Sequence, residues 1–160
     1  MIFSPLDLAG AYRIDLERRG DDRGFFARVF AAEEFARHGL HTQFPHMNTS
    51  LSRQVGTVRG LHFQRPPRAE AKVVRCLKGA IMDVIVDLRA GSPTFGNAVA
   101  LQLDDDNRAM VYIPEGFAHG FQTLRPDTEL LYLHSEVYSP AHEGGIRFDD
   151  PDLDVKWPLQ

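Results

Sequence analysis

One cysteine, Cys76, in 160 residues leaves no partner for an internal disulfide and no second thiolate for a zinc site that needs two. Lysine is nearly as scarce, three against fifteen arginines, which sets Lys72 apart among the cations. No apolar run approaches the roughly 18–20 residues of a membrane span. The N-terminus lacks the charged-then-apolar layout of a secretory signal. Repeats, low-complexity tracts and linkers are missing too, as are GxGxxG, GxSxG and P-loop patterns, so nucleotide hydrolysis and elbow-type serine hydrolysis have no support. A net charge of −4, from 18 basic and 22 acidic residues, argues against a general polyanion-binding surface. The expectation is a soluble, cytoplasmic protein with a single domain over residues 1–160.

What is present is a globular composition, 43% hydrophobic and 25% charged, which excludes a disordered chain. Charge is unevenly spread: residues 1–80 sum to +5 and residues 81–160 to −9. Two-residue alternation dominates the pattern, as in half-buried strands. Over residues 80–88 one face carries Ala80, Met82, Val84, Val86 and Leu88, and the other Ile81, Asp83, Ile85 and Asp87. Residues 73–77, 97–103, 110–113 and 129–138 read as further strands, with turn residues such as Lys78-Gly79 and Pro114-Glu115-Gly116 between them. One short helix is predicted over 31–38, with Glu33 and Glu34 near its positive end and Gly39 as its stop. Many short strands and little helix predict an all-β antiparallel sandwich or barrel of jelly-roll type. Residues 148–157 are expected to pack around Trp157 over one end.

Three segments carry side chains suited to chemistry. Residues 56–67, GTVRGLHFQRPP, put Arg59, His62 and Gln64 on one strand and its exit. An imidazole, with an unperturbed pKa of about 6.5, exchanges protons near neutrality. Strict alternation sets Arg59 opposite His62, and a bulge at Gly60 would turn both toward one cavity. Residues 112–124, YIPEGFAHGFQTL, present His119 between two small residues that let a ligand approach the backbone. Spacing alone leaves both histidines open between functional groups and ordinary strand or core residues. Over 129–138, Tyr132, His134, Glu136 and Tyr138 share a face, as in a barrel whose lumen binds a ligand. His134 and Glu136 are read here as solvent-facing. Lys72 near a carbonyl would steady an enolate oxyanion, although a solvated lysine reads the same. Metal-binding cupins usually flank one residue with two histidines, and His62-Phe63-Gln64 breaks that pattern.

Taken together, the segments resemble the dTDP-4-dehydrorhamnose 3,5-epimerase family. They are DDRGFFARVF (21–30), NTSLS (48–52), RGLHFQ, KVVRCLKGAIMDVIVDLRAGSPTFG (72–96), YIPEGFAHGF, Leu131-Tyr132, YSPAHEGGI (138–146) and Trp157-Pro158, in family order over nearly the whole chain. The resemblance implies a cupin-type jelly roll, a double-stranded β-helix. It also implies a cytoplasmic homodimer that needs no metal or other cofactor and binds neither nucleic acid nor membrane. The implied activity, in deoxysugar biosynthesis, is epimerisation at C3, C5 or both of a nucleotide-diphosphate-linked 4-keto-6-deoxyhexose, dTDP-linked by default. By resemblance, His62 is the base that takes the proton α to the ketone, Tyr132 the acid on the opposite face, and Lys72 the neighbour of the ketone oxygen. Arg23, Asn48, Arg59, His119 and Glu143 fall at substrate-binding positions, and Tyr138 at the aromatic that stacks on the nucleobase. A ketone acidifies its neighbours, so a base and an acid on opposite faces invert a centre without redox chemistry.

Three departures accompany the resemblance. The family places an aspartate beyond the Trp-Pro motif against the base histidine; the sequence given runs to Gln160, and His62 is expected to use Asp83 or Asp87 as its acceptor. A substrate-site lysine beside that aspartate is likewise not found. Arg28 stands where the family often has a glutamate facing the nucleobase, and a guanidinium only donates hydrogen bonds. His46-Met47-Asn48 replaces Gln-Asp-Asn. Arg28 and His46 therefore alter the base-reading end, while the reacting end is kept. The alternative readings are a single-site epimerase or keto-isomerase on another nucleotide sugar, and a non-catalytic cupin that binds a sugar nucleotide.

Overall fold

Alternation in the sequence becomes two facing sheets. The structure, a computed structural model, describes residues 1–159. In chain order the elements are β1 (Ile2–Pro5), β2 (Tyr12–Asp15), β3 (Arg19–Asp21), β4 (Gly24–Phe26), α1 (Ala32–Arg37), β5 (His46–Ser52), β6 (Val58–Gln64), β7 (Lys72–Lys78), β8 (Ala80–Asp87), β9 (Ala98–Asp104), β10 (Met110–Ile113), β11 (Phe117–Thr123), β12 (Thr128–His134) and β13 (Glu143–Gly145). One sheet has six strands in the order β1-β2-β10-β7-β12-β5 and the other five in the order β13-β6-β11-β8-β9; β3 and β4 form a separate hairpin. Pairing is antiparallel throughout, and the fold is the cupin-type jelly roll with one short helix. Among the described residues no helix is long and apolar enough to cross a membrane.

The pleat decides which side chains meet between the sheets. Val74, Cys76 and Leu130 from the six-stranded sheet pack against Ile81, Ile85, Phe117 and Phe121 from the other. Burying each aliphatic side chain contributes about 2 kcal/mol. The opposite face of β8 is also covered: Val84 and Val86 join Leu61 and Ala118 beneath Leu153, Val155 and Trp157. Trp157 Nε1 donates to the Phe148 carbonyl at 2.8 Å, so the C-terminal stretch folds over this sheet as expected. Central β11 lies between β6 and β8 and is buried at every position, which is why it shows no alternation. On the outside of the six-stranded sheet α1 inserts Phe35, fully buried, against Val73, Met110 and Tyr112.

The strand predicted over 129–138 ends at His134, so Glu136 and Tyr138 lie beyond it. Gln64, buried at the end of β6, ties down both that segment and its own exit loop. Its amide nitrogen donates to the carbonyls of Arg68 and Val137, and its oxygen accepts from Ser139 N at 2.6 Å. The turn after β8 is gathered by Asp87, whose carboxylate accepts from Arg89 Nε and Nη2, Ser92 Oγ and Thr94 Oγ1. Burial alone would raise its pKa; these donors outweigh it and hold the carboxyl far below the ordinary range.

Candidate active site

Between the sheets opens a cleft of about 610 Å³. Asn48, Thr49 and Ser50 from β5, Lys72 from β7, and Tyr132 and His134 from β12 form one wall; Arg59 and His62 from β6 with His119 and Phe121 from β11 form the other. Two fixed cations and three imidazoles in one concavity suit a polar, anionic small molecule.

The facing wall depends on an irregularity in β6. His119 pairs with His62, and Phe121, two residues on, pairs with Arg59, so β6 carries one extra residue between them. The bulge puts both Arg59 and His62 on the cleft, as the sequence suggested. Gly60 has φ +125°, and a Cβ there would lie 2.5 Å from Gly120 Cα and 2.8 Å from the His119 carbonyl oxygen. Only glycine meets both demands. Arg59 is steadied by its Nε donating to Ser52 Oγ at 3.0 Å.

The carboxylate expected for His62 is used elsewhere. Asp83, fully buried, lies with Oδ2 2.8 Å from Nε2 of His119, itself nearly buried. Because a carboxylate only accepts, Nε2 of His119 carries the proton. The other Asp83 oxygen has no partner among the described residues. Asp87 is committed to its turn. The expectation that either aspartate serves His62 is therefore corrected, and the reason is the pleat: Asp83 sits opposite Phe121 on β11, two positions from the residue that faces Ile85, His119. His62 is exposed to the cleft and makes no side-chain hydrogen bond among the described residues.

Across the cleft, Tyr132 Oη and Ser50 Oγ are 2.9 Å apart. Burial pushes the Tyr132 hydroxyl up to about 12, so it stays protonated at neutral pH. Lys72, nearly buried, places Nζ 3.0 Å from Glu70 Oε1, and Glu70 Oε2 lies 3.0 Å from His134 Nδ1. The solvent-facing reading of His134 is also corrected: its ring lies inside the cleft, near-parallel to that of Tyr132 at 6.0 Å between centroids. Glu136 is partly exposed and pairs with Arg68 at 3.1 Å. Glu70 and Ser50 are the polar groups that sequence reasoning did not place here, and Asp83 was expected beside His62 rather than His119. Glu70 sits in the loop before β7, where no periodicity marks it.

The remaining expected residues lie outside this cleft. Tyr138, exposed, donates its hydroxyl to Glu143 Oε2 at 2.7 Å, a bond that raises the phenol pKa, and Glu143 pairs with Gln64 at the end of β6. His46 is paired with His134 at the start of β5. Arg23, at the tip of the β3–β4 hairpin, is 90% exposed and bound to Asp21, while Arg28 lies 3.9 Å from Glu33. Neither arginine reaches the cleft of its own chain.

Known proteins share this fold and much of this sequence. A family model described as dTDP-4-dehydrorhamnose 3,5-epimerase matches residues 5–160. The chain is 44% identical over 158 residues to a dTDP-4-dehydrorhamnose 3,5-epimerase from Sinorhizobium fredii, covering 99% of this chain and 81% of that one. A dTDP-4-dehydrorhamnose 3-epimerase from Streptomyces niveus is 42% identical over 159 residues, with 99% and 76% covered. The crystal structure of a dTDP-6-deoxy-D-glucose-3,5-epimerase from Legionella pneumophila in complex with dTDP-4-keto-L-rhamnose superposes with a TM-score of 0.92 at 36% identity, over 99% of this chain and 84% of that one.

Proposed function

Since the chain belongs to the dTDP-4-dehydrorhamnose 3,5-epimerase family and is an isomerase of that class, we propose that it epimerises a dTDP-linked 4-keto-6-deoxyhexose through an enolate. The observation that carries this reading is the placement of His62 and Tyr132 on opposite walls of one cleft, with Lys72 on the Tyr132 side. His62 takes the proton α to the ketone. The electron pair moves onto the carbonyl oxygen, and the Lys72 ammonium offsets the negative charge that develops there. Tyr132 then gives its proton to the carbon from the other face, and solvent exchange restores both groups. A phenol with a pKa near 12 keeps its proton until the strongly basic enolate carbon claims it.

Asn48, Arg59 and His119 line the same cleft and would hold the sugar and diphosphate. Tyr138 and Glu143, linked to each other, would meet the nucleobase. A second copy would cover the outer face of the six-stranded sheet. Val29, Phe30, Met47, Leu131 and Leu133 form an apolar groove there, with Met47 64% exposed, and Arg75 beside them has a buried Nε without a partner among the described residues. Arg28, contiguous with Val29, and Arg23 would then serve the neighbouring copy's cleft. A single buried free thiol fits a reducing, cytoplasmic setting.

The test is solvent deuterium. Incubated with dTDP-4-keto-6-deoxyglucose in D₂O, the enzyme should wash label into the ring at C3 and C5, and His62→Ala should abolish it; binding without exchange would reject the enzymatic mechanism. Label at one carbon alone is the second reading, favoured by the named 3-epimerase from S. niveus. CDP- and GDP-linked substrates tested in parallel show whether Arg28 and His46 read thymine.

A further inference from the structure

Among the described residues, Glu70 is the one carboxylate that touches two side chains of the cleft wall without itself lining the cleft. Its two oxygens are divided: Oε1 takes the Lys72 ammonium and Oε2 the His134 Nδ1, each at 3.0 Å. All three side chains are largely withdrawn from solvent, Glu70 at 9% exposure, Lys72 at 10% and His134 at 17%. Lys72 and His134 are cross-strand partners on β7 and β12, so the carboxylate bridges neighbours that already share a face. Burial alone would raise the Glu70 pKa; the His134 hydrogen bond and the Lys72 charge outweigh it and keep the carboxyl ionised below its ordinary range.

We propose that Glu70 is a positioning residue that aims Lys72 into the cleft and fixes the tautomer of His134, so that the two act on the bound sugar as a donor and acceptor pair. An ionised carboxylate against Nδ1 can only accept, so in neutral His134 the proton sits on Nδ1. Nε2 is then an acceptor on the cleft side, suited to a sugar hydroxyl, beside an ammonium suited to a carbonyl oxygen. Without Glu70 the ammonium has no paired carboxylate among the described residues, and the imidazole is free to move its proton to Nε2. A site that accepts a hydrogen bond from a hydroxyl would then present a donor instead. The sugar contact rests on the epimerase reading above; the tautomer does not.

Two variants separate the roles. Glu70→Gln keeps an oxygen for Nδ1–H but removes the charge beside Lys72. It should retain the Nδ1–H tautomer in ¹⁵N spectra of the histidine rings and lower kcat about tenfold. Glu70→Ala should show the Nε2–H tautomer and lose about a hundredfold in kcat/KM. His134→Asn, whose amide nitrogen replaces Nδ1 but not Nε2, should raise KM for the nucleotide sugar while leaving dTDP affinity unchanged. A merely structural Glu70 would lower the melting temperature and leave tautomer, kcat and KM where they were. An unchanged His134 tautomer in Glu70→Ala overturns the proposal. Because the ring spectra are read without substrate, an enzyme that turns over no 4-keto sugar would refute the epimerase reading and leave the tautomer result to decide this one.

Discussion

His119 and Asp83 form a buried pair, Nε2 to Oδ2 at 2.8 Å, in the wall of a cleft whose other β6–β11 histidine, His62, stands free of any carboxylate among the described residues. The two imidazoles are therefore not equivalent. His119 is held in one orientation by the carboxylate, which suits a fixed ligand contact; His62 is exposed to the cleft and has no side-chain hydrogen bond among the described residues. Asp83→Asn retains the shape and removes the charge. It should reduce kcat/KM roughly tenfold to a hundredfold through KM, since an oriented contact is lost rather than the base. Steady-state kinetics checks this, and a loss confined to kcat would instead make His119 a proton-transfer group.

Tyr132→Phe fills the same volume and deletes one hydroxyl. Ser50 loses its partner, at a cost of about 1 kcal/mol that chemical denaturation can measure. Proton exchange through His62 should survive while inversion falls by about a hundredfold or more. Product stereochemistry together with deuterium content distinguishes the two. Unchanged inversion removes Tyr132 from the acid's role.

Arg23 and Arg28 supply a test of the two-copy arrangement. Arg23→Ala and His62→Ala should each be inactive or nearly so. Mixed after unfolding and refolding together, they should regain about a quarter of wild-type activity, because half the random pairs carry one intact site. No recovery would place Arg23 with the cleft of its own chain or with none. Sedimentation of Met47→Asp should show monomers.

Acid stability should report on Asp87. Its folded pKa is depressed, so it contributes stability that is full above the unfolded value of about 3.9 and is lost as pH falls toward the folded value. Glu70 and Asp104 are depressed in the same direction. Wild-type stability should therefore be level near neutrality and decline below about pH 4. Asp87→Asn should cost about 2 kcal/mol at pH 7 and flatten part of that decline, as urea unfolding at pH 7 and pH 3 would show.

The strands were most legible where alternation was cleanest. The two faces of β8 stand in the sequence as they do in the fold, down to Asp83 on the core side. That clean pattern did not say which partner Asp83 would meet, because the cross-strand register between β8 and β11 is a tertiary fact. β11 gave no alternation since both of its faces are covered. His134 misled for a related reason: a polar residue on an alternating strand reads as outward, yet here the polar face lines an internal cleft and a buried carboxylate satisfies the ring. Glu70 had no signal, lying in an irregular loop. The family motifs named His62, Lys72 and Tyr132, which line one cleft, but could not tell that Arg23 and Arg28 lie away from the cleft of their own chain.

The extra residue at Gly60 sets the parity of β6. On a regular strand, positions three apart point to opposite sides, so residues 59 and 62 could never share a cavity. The insertion resets the count, and with it the arrangement of that strand: the Arg59 guanidinium before the reset and the His62 imidazole after it both line the cleft, with Leu61 turned out to the apolar layer between them. Deleting one residue there would leave every side chain's chemistry intact and still break the pairing, since either Arg59 or His62 would face away.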